Sequence, residues 1–122
     1  MADRYLSDDD EMVVWWGTPV ECVSAISRLR REGGLDLADC ERAERLLREL
    51  EATWYEVQAT RGVRRLAVRA LRVHSLSAAD ALQLAAALEW AGTPSGDEVI
   101  TFDSRLAGAA RLEGFTVPEI RG

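Results

Sequence analysis

VITFDSRLAGAARLEGFTV, residues 99–117, packs three structural signals into one short segment. It opens on an apolar, β-branched run and passes at Asp103-Ser104 into helical spacing. It then halts at Gly114 and closes on a second β-type run, Phe115-Thr116-Val117. Strand, helix, strand in that order predicts an α/β domain with a mainly parallel sheet. In such sheets ligands collect beyond the carboxyl ends of the strands, where helices also begin. Asp103 falls at such a junction and has two readings. It is a helix N-cap that satisfies orphan backbone N–H groups, or it is one carboxylate of a metal site.

Upstream, MVVWW (residues 12–16) reads as a short buried strand, followed by TPVECVSAISRLRREGG (residues 18–34). Thr18 as N-cap, Pro19 at the first helical position, Glu21 three after the cap and Gly33-Gly34 beyond the last turn predict a helix over about residues 19–32. LADCERAERLLRELEATW (37–54) is a second amphipathic helix, and YEVQA (55–59) is short and irregular or extended. A basic helix spans about 61–73, and an almost wholly apolar one begins after Ser77 and ends near Gly92. DEVITF (97–102) is the clearest strand in the chain, SRLAGAARLEG (104–114) the last helix and FTVPEI (115–120) the last strand.

The chain has 122 residues, 48% hydrophobic and 30% charged, which suits one domain, 1–122, with one core and no linker. No apolar run approaches the roughly 18 residues of a membrane span, and MADRYLSDDDE lacks the order of a secretory signal. A cytoplasmic protein without membrane association is expected. Cys22 and Cys40 have no zinc-ligand spacing and read as free thiols. All 15 basic residues are arginine, and the net charge of -6 opposes bulk attraction to nucleic acid. A local exception is TRGVRRLAVRALRVH (60–74), where Arg61, Arg65, Arg69 and Arg72 recur on one helix face, either a solvated face or a binding surface. His74, the sole histidine, reads as structural or solvated, and the four tryptophans as core or interface residues.

Three acids occupy similar local positions. Glu21 lies in the first helical turn after MVVWW, Asp80 in the first turn of the apolar helix and Asp103 after VITF. Thr18-x-x-Glu21 and Ser77-x-x-Asp80 also have capping-box spacing, so each acid has a capping reading. Asp80 shares a stripe with Leu84, Ala87 and Leu88, which aims it towards the core. A buried carboxylate needs a cation, donor or metal. A hard divalent cation, Mg²⁺ or Mn²⁺, suits oxygen-only ligands.

TPVECVSAISRLRREG, LSAADALQLAAALEWAG and VITFDSRLAGAARLEGFTV together resemble the PIN domain, specifically ribonuclease toxins of the VapC type, over about residues 12–120. The resemblance implies a three-layer α/β/α sandwich and a metal-dependent endoribonuclease that hydrolyses RNA phosphodiester bonds. By motif, Glu21, Asp80 and Asp103 match the acids that hold Mg²⁺ or Mn²⁺. Thr101 matches the hydroxyl residue beside the last acid, and Arg28 is a candidate for orienting phosphate or for pairing with an acid. A VapB-type antitoxin and a homodimer are also implied. One departure stands out: the N-terminal strand that ends in the family's first catalytic Asp is missing. MADRYLSDDDE instead resembles the end of a first helix and a solvated loop, with Asp8 to Glu11 as loop acids. The expectation is an N-terminally truncated PIN-like domain whose true start lies upstream. The alternative is a catalytically impaired module that acts by binding an antitoxin or another protein.

Overall fold

The computed structural model describes residues 12–119. Along that range run β1 (Val13–Trp15), α1 (Thr18–Arg31), α2 (Leu37–Glu51), β2 (Tyr55–Val57), α3 (Arg61–Val73), α4 (Ala78–Ala91) and α5 (Ser104–Leu112). β1 and β2 pair in parallel, Val13 opposite Tyr55 and Trp15 opposite Val57. A parallel pair needs a long crossover, and here the α1–α2 hairpin supplies it.

α4 organises the core. Its sequence, AADALQLAAALEWA, is apolar on nearly every side, as a helix enclosed by neighbours must be. Ala81, Leu84, Ala85, Ala86 and Leu88 are buried, and the alanines let α3, β1 and α5 pack closely around the helix. Val63, Ala67 and Ala70 of α3, Leu106 and Ala110 of α5, and Val57 of β2 belong to the same cluster. α1 contributes no buried residue, and α2 contributes only Cys40 and Leu47, which lie outside that cluster. The hairpin therefore packs on itself, beside the main core.

α4 starts behind Ser77 as its sequence predicts, and α3 starts at the expected residue, behind a Thr60 cap not predicted from the sequence. Thr60 Oγ1 accepts from Val63 N–H, and Ser77 Oγ accepts from Asp80 N–H. α1 departs from expectation. Gly17, not Thr18, is its N-cap, with no side-chain capping bond, so the Thr18–Glu21 capping box does not form. The indole of Trp15 folds over Gly17 where any Cβ would stand, which forces a tight exit from β1 and starts the helix one residue early.

The α/β class is as expected, but the sheet has only two strands among the described residues. DEVITF and FTVPEI form no ladder. They meet in a single parallel bridge, Glu98 with Thr116, supported by Val99 N–H to Thr116 O and Thr116 N–H to Asp97 O. Phe115 and Val117 are buried and Thr116 exposed, so the strand-like alternation survives without a ladder. Val99, Ile100 and Thr101 are all half-buried, with no alternation to fix a register. Among the described residues no strand joins the β1–β2 ladder to this bridge. The acidic run Asp8 to Glu11 and the final Ile120 lie outside the described residues.

The tryptophans divide between core and surface. Trp15 packs against the core, but Trp16 and Trp90 are 52% and 46% exposed, and Trp90 sits against the half-exposed ring of Tyr55 at a centroid distance of 4.9 Å. His74 is structural, as expected. Its Nε2 lies 2.7 Å from Glu113 Oε2, and Arg69 Nη1 donates to both oxygens of the same carboxylate at 3.2 and 3.3 Å.

Candidate functional site

The crossover sets the place of Glu21. β1 delivers the chain directly into α1, and Glu21 lies in its first turn, half-buried. Its Oε1 accepts a 2.9 Å hydrogen bond from Gln83 Nε2 of α4. Gln83 is three residues beyond Asp80 on that helix, so the two side chains are neighbours on one face, with Cβ atoms about 5–6 Å apart. Gln83 thus brings the acid of α1 to the turn of α4 that carries Asp80. Nothing in the local sequence marks this contact, because its partners are far apart along the chain.

Asp80 is only half-buried. The apolar stripe led to an inward carboxylate, but the first turn of α4 projects past the elements that enclose its middle, and the buried residues begin at Ala81. Its backbone N–H serves the Ser77 cap.

Asp103 is exposed and caps α5. Its Oδ1 accepts from Arg105 N–H and Leu106 N–H, both at 2.9 Å, and its own N–H donates to Thr101 Oγ1 at 3.0 Å. Thr101 thus acts on the acid beside it by fixing the backbone ahead of the cap. The pair borders an open hollow of about 250 Å³ that also touches Phe102, Ala107, Arg111 and Val117. Arg111 Nη2 donates to Val117 O there, at 3.3 Å.

Among the described residues no three His, Cys, Asp or Glu side chains are gathered so that they could hold a metal ion. The structure therefore brings Glu21 towards Asp80 and does not gather Asp103 with them. The donors are of the right type for Mg²⁺ or Mn²⁺, being carboxylate oxygens, but the set is incomplete. Arg28 is exposed on α1 and makes no ion pair among the described residues, so the pairing with an acid does not form.

Two further groups bear on the chemistry. Burial, and then the nearby charges of Glu21 and Glu51, push the Cys22 thiol up, which disfavours the thiolate. Burial also pushes the Glu113 carboxyl up, but hydrogen bonds from His74 and Arg69, with their charges, outweigh it and hold the group below its ordinary value. His74 is committed to that carboxylate and is not available as a general base.

Set against known protein families and curated proteins, the chain matches none. Among the described residues no helix is long and apolar enough to cross a membrane.

Proposed function

We propose that the chain is a VapC-like PIN domain directed at RNA, a metal-dependent endoribonuclease acting in the cytoplasm. Glu21 and Asp80 are the paired acids of its site, and Asp103 is the third acid, at the head of α5. The observation that carries this reading is the Gln83–Glu21 hydrogen bond, which draws the acid of one helix to the turn of another that bears Asp80. In this reading Mg²⁺ or Mn²⁺ supplies Lewis-acid chemistry at the phosphate. Gln83 orients Glu21, and Thr101 orients Asp103. A VapB-type antitoxin and a second copy of the chain are the proposed partners.

The incomplete carboxylate set favours a second reading, a catalytically impaired module of the same fold that acts by binding its antitoxin or another protein. One experiment separates them. The full chain is incubated with RNA and Mg²⁺ or Mn²⁺, beside Asp80→Asn. The ribonuclease reading expects cleavage that needs the ion and disappears in the variant. Cleavage that persists in Asp80→Asn refutes it, and no cleavage by the wild-type chain at any ion concentration selects the binding module.

A further inference from the structure

α3, RGVRRLAVRALRV, carries Arg61, Arg64, Arg65, Arg69 and Arg72 and no acidic residue. The sequence periodicity groups Arg69 with the stripe, but the structure removes it, because Glu113 holds its guanidinium at one flank. Arg61, Arg64, Arg65 and Arg72 are exposed, and none forms an ion pair among the described residues. At about 100° per residue, Arg61, Arg65 and Arg72 fall within about 40° of one another, opposite the buried Val63 and Ala70, with Arg64 beside them. Like charges four apart on a helix repel, and neither Arg61 nor Arg65 is held in an ion pair among the described residues, although the Glu89 carboxylate lies 3.5 Å from where a Cβ would stand at Gly62. The molecule as a whole is acidic, at -6, so this crest is a concentrated exception.

We propose that the crest of α3 binds the phosphate backbone of single-stranded RNA, which rests on the RNA-directed reading above. Arg61 to Arg72 spans about 16 Å of helix axis at about 1.5 Å per residue. Over that length the four exposed guanidinium groups can reach successive phosphates along one extended strand. Guanidinium forks bind phosphate oxygens in bidentate fashion and need no pocket. A protein partner would need anchoring hollows. The hollow at Asp103 borders α5, a second one between Tyr55, Val57, Gln58, Glu89 and Trp90 reaches α3 only at its N-cap Thr60, and the apolar members of the crest, Val68 and Leu71, are 41% and 44% exposed.

The test is fluorescence anisotropy of a labelled single-stranded oligouridylate with the full chain, in EDTA, so that binding is read without cleavage. Four phosphate contacts predict a log Kd against log salt slope of magnitude about 3. R61Q/R65Q/R72Q should lower it to about 1 and weaken binding at low salt at least about tenfold, and each single variant should lower it by about 0.7. R30Q/R45Q/R48Q, exposed arginines on α1 and α2, makes the same change in net charge and should leave the affinity within about twofold if the location of the charge decides. Equal binding by the crest variant overturns the proposal, as does an equal loss in the control. Stronger binding to duplex DNA of the same length, or a crest-dependent dimer with no RNA binding, also overturns it. If RNA cleavage needs Asp80 while the crest variant binds like the wild type, the crest fails and the ribonuclease reading stands. Crest-dependent RNA binding with no cleavage by the wild type has the converse meaning.

Discussion

Glu113→Gln tests the ion cluster of Glu113, His74 and Arg69 while preserving side-chain shape. Glu113 and His74 have side chains 11% and 7% exposed, and Arg69 is 52% exposed. The His74 bond to a charged acceptor is therefore the larger contribution, about 1.5–3 kcal/mol for hydrogen bonds of this kind. The solvent-screened Arg69 pair adds only about 0.5 kcal/mol. Glutamine keeps one acceptor oxygen, so the expected cost at pH 7 is about 2 kcal/mol. At about 2.1 cal/mol/K of unfolding entropy per residue, that lowers Tm by about 8 °C. The pH dependence has a definite sign. Glu113 is held below its ordinary value in the folded state, so its contribution is complete above the unfolded value of about 4.3 and is lost as pH falls through the folded one. Urea unfolding followed by tryptophan fluorescence, from pH 7 down to pH 3, reads both effects. A cost under about 0.5 kcal/mol at pH 7, the level of an ordinary surface substitution, or a gap that stays constant into acid, would refute the reasoning.

Gly114 has φ +105, and an added Cβ would meet Pro94 Cβ and O at 3.2 Å. Gly114→Ala should thus cost about 1–2 kcal/mol from the left-handed backbone alone, read as a lower urea midpoint at unchanged slope. Leu84 is 1% exposed at the centre of α4, and Leu84→Ala should destabilise by about 3 kcal/mol, with calorimetry checking the fall in Tm. Asp103→Ala should cost about 1 kcal/mol in thermal unfolding and Asp103→Asn only a few tenths, because asparagine caps comparably. If that carboxylate also serves a cation, both variants should lose any Mn²⁺-dependent rise in Tm.

The elements legible in the sequence are those whose ends are written locally. α4 begins behind its Ser77 cap and ends at Gly92, because each signal lies within a few residues of the bond it makes. DEVITF failed for the opposite reason. Strand propensity describes a fit to a half-buried, paired surface, and 97–102 finds only a single bridge, so the apolar run does not become a ladder. The same distinction runs through the candidate site. The capping role of Asp103 is local and was one of its two readings. The tether from Gln83 to Glu21 and the removal of Arg69 from its stripe depend on partners 62 and 44 residues away, which periodicity does not register.

The α1–α2 hairpin places nothing in the main core, and Gln83–Glu21 is the one side-chain hydrogen bond described from it to α4. Its opening free energy therefore need not equal that of the whole domain. In native-state hydrogen exchange such a segment behaves as its own cooperative unit, releasing its amides through a partial opening that leaves α4 protected. A ligand that grips both Glu21 and Asp80 would close that difference by linking the two units, and the slowing of exchange in α1 would report its arrival even where the chain's chemistry is silent.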